Sequence, residues 1–174
     1  MKINNIIFIT TLLFAINSNA QIDKGNWMMG GSGSFGSFNT TSQGINNKGT
    51  YLNLNPNIGY FFIDKLAIGA GAELIFQTKF DTGLGISPFI RYYFLNKEKN
   101  INLFSELSYK VTKSSGVGSV KFETLNMKAG TVFFLNSSVG IEVAINYSNL
   151  KSNYELESNN IFLSVGFQIH LKRE

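Results

Sequence analysis

Cysteine is absent from the 174 residues, and proline occurs only at Pro56 and Pro88. Lack of cysteine removes disulfide staples, a thiol nucleophile, thiolate metal ligands and the lipid acceptor of a lipoprotein. A single histidine, His170, cannot build a multi-histidine metal site, and its place near the end of the last expected strand offers no Ser-His-Asp device. No catalytic residue, cofactor or metal is therefore expected, and the chain does not read as an enzyme. Charge of one sign is also lacking. The net charge is +4, and the lysines are scattered without forming a block, which argues against nucleic acid as a partner.

Long apolar runs are missing as well. Past the first segment no stretch approaches the roughly 20 apolar residues of a spanning helix. That first segment, MKINNIIFITTLLFAINSNA, opens with Lys2, continues through an apolar run over 6–16 and ends in small and polar residues. It reads as a secretory signal peptide over residues 1–20, cleaved after Ala20, leaving 21–174 as one exported domain. Any membrane span in that domain must be made of strands.

What is abundant fits strands: the chain has 16 Phe, 7 Tyr and 17 Gly, and the glycines fall inside alternating segments as well as in turns. Three segments repeat one pattern, LNLNPNIGYFF from Leu52, LGISPFIRYYF from Leu84 and LNMKAGTVFFL from Leu125. Period-two alternation predicts eight strands, at 26–38, 50–63, 66–78, 83–94, 101–112, 122–134, 139–148 and 160–171. Tight connections at 64–65, 96–100 and 136–138 alternate with longer polar ones at 39–49, 113–121 and 149–159. The remaining connection, near 80–82, is short where the alternation asks for length.

Following the phase through every strand gives one face without charge. Aromatic residues on that face gather at the strand ends. Trp27, Tyr60, Phe62, Tyr92, Phe94 and Phe133 lie near the tight turns, and Phe35, Phe76, Tyr109 and Tyr147 near the long loops, as expected of belts at two membrane interfaces. About ten residues at roughly 3.3 Å each, tilted by roughly 40°, rise about 25 Å, the height of such an apolar band. The opposite face holds Glu73, Arg91, Glu106, Lys110, Lys128 and Glu142 among small and polar residues, with Phe61, Phe89, Tyr93, Phe104 and Phe162 adding bulk. The expected fold is all-β: an eight-stranded antiparallel up-and-down transmembrane β-barrel, apolar outside and charged within. A soluble lipocalin-like binding barrel would place the same faces the other way round.

The Gly-rich first strand from Trp27 to Gly36, the Gly-Tyr-Phe-Phe close of the second and the final IFLSVGFQIHL carry a resemblance to the small outer-membrane β-barrels of the OmpA and OmpX type. It covers essentially all of 21–174 and is one of architecture, not of activity. The chain departs from that pattern at its end, where Leu171 and the charged Lys172-Arg173-Glu174 replace a terminal aromatic residue. The resemblance implies a monomer in the outer membrane of a Gram-negative-type bacterium, with outer-membrane lipid and the barrel assembly machinery as its partners.

The interior charges carry the functional expectation. A symmetric hairpin turning near 81–82 places Glu73 across from Arg91, with Glu106 about one diagonal away. Three acids and three bases would then neutralise one another and fill a lumen barely wide enough for its side chains. The role expected is structural or adhesive, with the polar loops as the surface for any extracellular ligand. A narrow pore or a route for small molecules is the alternative.

Overall fold

The computed structural model describes residues 22–42, 45–78, 82–114, 121–153 and 157–172; the expected signal peptide lies outside these. Eight strands follow one another: β1 Trp27–Ser42, β2 Ile45–Ile63, β3 Leu66–Gln77, β4 Gly83–Tyr93, β5 Ile101–Ser114, β6 Lys121–Phe134, β7 Val139–Ser152 and β8 Glu157–Leu171. Each pairs antiparallel with the next, and β1 meets β8, so the sheet closes into an up-and-down barrel.

The boundaries at the tight-turn end agree with those expected, because the change from alternating apolar residues to Asp, Lys and Asn is abrupt there. At the other end the strands run further. Most of 39–49, expected as loop, is paired strand, with Asn39 opposite Lys48 and Ser42 opposite Ile45. β5, β6, β7 and β8 likewise extend into 113–121 and 149–159. Beyond the apolar band both faces can be polar, so the ladder continues without any alternation to reveal it. The short connection near 80–82 widens to 78–82, of which 79–81 lie outside the described residues.

The faces separate as the period-two pattern requires. Leu54, Ile58, Ile68, Ile90, Leu107, Met127, Val143 and Val165 are exposed on the exterior. All ten belt residues are on that side; the rings of Trp27 and Tyr60 lie 5.1 Å apart, as do those of Tyr92 and Phe94. Among the described residues the first charges on this face, Lys48, Lys113, Glu123, Lys151 and Glu157, lie beyond Phe35, Tyr109 and Tyr147.

The core occupies the tight-turn half of the lumen. Met28, Phe61, Tyr93, Phe104, Val132 and His170 are fully buried or nearly so. Residues 22–26 close that end from below: Lys65 donates its backbone N–H to Ile22 at 2.8 Å, Gly25 donates to Phe61 at 2.8 Å, and Ile22 is buried. Lys97 Nζ reaches Asp23 at 2.8 Å, which raises the lysine's pKa by hydrogen bonding and charge attraction.

The buried Asn102 holds the β4–β5 connection, accepting from Leu95 N–H at 2.9 Å and donating to Leu95 C=O at 3.0 Å. Asn102→Ala is expected to lower stability by about 1–3 kcal/mol, since it removes two hydrogen bonds made by a buried side chain. Asn96→Ala, which removes only an exposed contact with Lys65, should stay within about 0.5 kcal/mol. Urea unfolding of the lipid-refolded barrel measures both.

Candidate functional site in the barrel lumen

All six expected interior charges point into the lumen, and the structure joins them in two groups. In the first, Arg91 sits directly opposite Glu106 on β5, with Nε 2.7 Å and Nη2 2.6 Å from Glu106 Oε2. Its Nη1 reaches across the lumen to Glu142 on β7 and also donates to Tyr93 Oη at 3.2 Å. The guanidinium lies 4.5 Å from the centre of the Phe104 ring, a cation–π contact with the aromatic floor. Lys128 stands 3.8 Å from Glu106 on its other side. In the second group Glu73 takes Lys110 Nζ at 2.7 Å and the Thr112 hydroxyl at 2.7 Å.

The expected Glu73–Arg91 pair is not formed. Glu73 lies opposite Gly85 and Arg91 opposite Ala67, so Arg91 is six residues further along β4 than the symmetric hairpin implies. The β3–β4 register pairs Ile75 with Gly83, so its midpoint falls about three residues before 82, and a midpoint moved by three residues moves every partner by six. A shift by an even number preserves the faces, which is why the interior assignment survives while the partners change.

Below the charges lies an aromatic floor. Phe61, Tyr93 and Phe134 surround His170, with ring centres 5.4–5.8 Å from the imidazole. His170 is fully buried there, out of reach of any substrate. No cluster of metal-ligating side chains occurs among the described residues.

Above the charges, toward the outer hairpins, the lumen is not filled. A cavity of about 470 Å³ is bounded by Asn55, Asn57, Asn126 and Asn146, by Phe89, and by Glu73, Glu106, Lys110 and Lys128. Gly59 and Gly69 give Phe89 its place; a Cβ on Gly59 would meet Met28 Cγ at 2.9 Å and the Phe89 ring at 3.1 Å. Phe162, expected as interior bulk, is 49% exposed. Its phase is inward, but no strand pairs with β8 on its β1 side at that level. The lumen is thus packed at the tight-turn end and holds a cavity on the other side of the charges. Ile22 and Thr112 belong to the seal and the network but had no sequence signal of their own, whereas Tyr93 was expected there as interior bulk.

The fold, though not the arrangement of the lumen, recurs in solved structures. The N-terminal β-barrel domain of Pseudomonas aeruginosa OprF superposes with a TM-score of 0.61 at 12% identity, covering 85% of this chain and 98% of that one. Neisserial surface protein A matches at a TM-score of 0.56 and 16% identity over 84% of this chain and 97% of its own. The outer membrane protein OprG from Pseudomonas aeruginosa matches at 0.54 and 13%, over 88% and 100%. What they share with this chain is the eight-stranded barrel fold. The resemblance therefore holds at that level and not at the finer one of OmpA and OmpX. No protein-family profile and no curated protein matches the chain.

Proposed function

We propose that residues 21–174 form a monomeric integral barrel of a Gram-negative-type outer membrane, exported by a cleaved signal peptide and inserted by the barrel assembly machinery. Its role on this reading is structural or adhesive: a barrel that carries its outer hairpins at a fixed height above the lipid. The membrane placement is supported by the uncharged exterior between two aromatic belts and by the polar interior, an arrangement that suits lipid outside and side chains within.

The observation that carries the non-conducting role is the sealed tight-turn end. Ile22, the aromatic floor and the Arg91–Glu106–Glu142 group fill that end with largely buried side chains, which supports a barrel that does not conduct. Refolded protein in a planar bilayer is expected to show no steady single-channel current. Steady, reproducible conductance steps would favour a pore and overturn this role. Recovery of the folded protein from the periplasm without detergent would instead overturn the membrane placement.

A further inference from the structure

The ladder that closes the barrel stops early. β1 and β8 pair from Trp27 opposite Leu171 to Ser32 opposite Gly166, although β1 runs on to Ser42 and β8 begins at Glu157. Gly31, just before this point, has a φ of 152°. The position needs glycine, since a Cβ there would come within 2.9 Å of Pro56 Cα. Past it the two strands part and the lumen cavity extends between them.

The slot is lined by Gly33 and Ser34 on one side and by Phe162, Leu163, Ser164 and Val165 on the other. Leu163 and Val165 have the outward phase, so a polar cavity shares part of its wall with the lipid-facing surface. Leu163 is 74% exposed, whereas Leu54 in the closed part of the wall is 38% exposed. Backbone groups along the parted edges have no strand partner at this level and need another source of hydrogen bonds.

Inside the slot two polar groups are underused. Lys128 is 3.8 Å from Glu106, beyond hydrogen-bonding distance, while Glu106 is held at 2.6 Å by Arg91. The lysine therefore keeps donors for a further anion. Across the cavity the Asn57 side-chain oxygen is buried without a hydrogen-bond partner, so it can accept from a hydroxyl or a bridging water.

We propose that the slot admits one single-chain amphiphile with an acidic head. The anionic group lies against Lys128, and the acyl chain passes between Gly33 and Leu163, over Phe162, to the apolar exterior. Fatty acids and lysophospholipids share this chemistry. The inference rests on the membrane placement proposed above, but not on the absence of conductance.

The test is native mass spectrometry of the detergent-refolded barrel with hexadecanoate, methyl hexadecanoate and an acyl-glycerol phosphate as probes. One molecule of an acid is expected to be retained per chain, the tighter of the two acids naming the source. The uncharged ester should bind roughly tenfold more weakly, as should hexadecanoate to Lys128→Gln, the effect of one lost charge-assisted hydrogen bond. Continuing the observed register puts Ser34 opposite Ser164. In a chain without cysteine, oxidised Ser34→Cys/Ser164→Cys closes the slot and should abolish retention until reductant is added. Ser34→Trp, which fills the mouth without a cross-link, should do the same; heat-dependent gel mobility verifies that each variant is folded. Retention of neither acid overturns the proposal. So does equal retention of ester and acid, or an unchanged Lys128→Gln, which would mark a lipid held on the outer wall only. Binding that survives both closed variants also overturns it, placing entry at the hairpins or at Pro56, where the β2–β3 ladder skips from Leu54 to Asn57.

Discussion

Replacing Arg91 by alanine is expected to cost about 3–5 kcal/mol of stability, the loss typical of removing one partner from a buried ion pair. Arg91 is fully buried and Glu142 nearly so. Glu106 would retain Lys128 nearby, but Glu142 would be left as a buried carboxylate with its cation removed. The decisive comparison is therefore the double variant. Glu142→Gln on the Arg91→Ala background should recover part of the loss, because it removes the stranded charge while keeping a polar side chain in its place. Urea unfolding in lipid vesicles measures all three variants. If the two single losses simply add, Arg91 and Glu142 do not interact, and the cross-lumen contact has no energetic role.

The second large effect concerns the exterior. Leu54 lies opposite Gly33 on β1 and Leu74 on β3, well within the apolar band. Leu54→Arg should destabilise the barrel by about 2–4 kcal/mol, since the guanidinium must then enter the hydrocarbon near its middle. Its neighbour Asn55 points inward and borders the cavity, where an arginine finds both space and carboxylates. Asn55→Arg should accordingly be much milder, although the two substitutions are adjacent in the chain. Equal losses at the two positions would remove the assignment of the outer face to lipid.

Both predictions bear on what can be read from residues alone. Leu54 and Asn55 were legible because strand phase is local: side chains alternate along any extended backbone, so an uncharged set at every second position identifies a face before any partner strand is known. The inward direction of Glu73, Arg91, Glu106, Lys110, Lys128 and Glu142 follows by the same rule. The Arg91–Glu142 contact was not legible. It joins β4 to β7 across the lumen, between residues that are not neighbours on any ladder.

Phe162 shows the other kind of limit. Its phase is inward, as expected, yet phase states only the direction in which a side chain points and not what stands beside it. Burial at that position needed β1 alongside, and the β1–β8 ladder ends at Ser32. Nothing in the spacing of the residues marks where that ladder stops. Ile22 is the converse case: an apolar residue outside any alternating segment, buried because the chain folds back under the barrel.

The sequence by itself determined the number of strands, their ends at the tight turns, and which side of each strand is apolar, since all three depend on patterns within a few consecutive residues. Only the tertiary structure decided which charges pair, how far the lumen is filled, and where the wall stays open. Those depend on the stagger of eight strands closing on one another, a property of the whole ring that no single strand encodes.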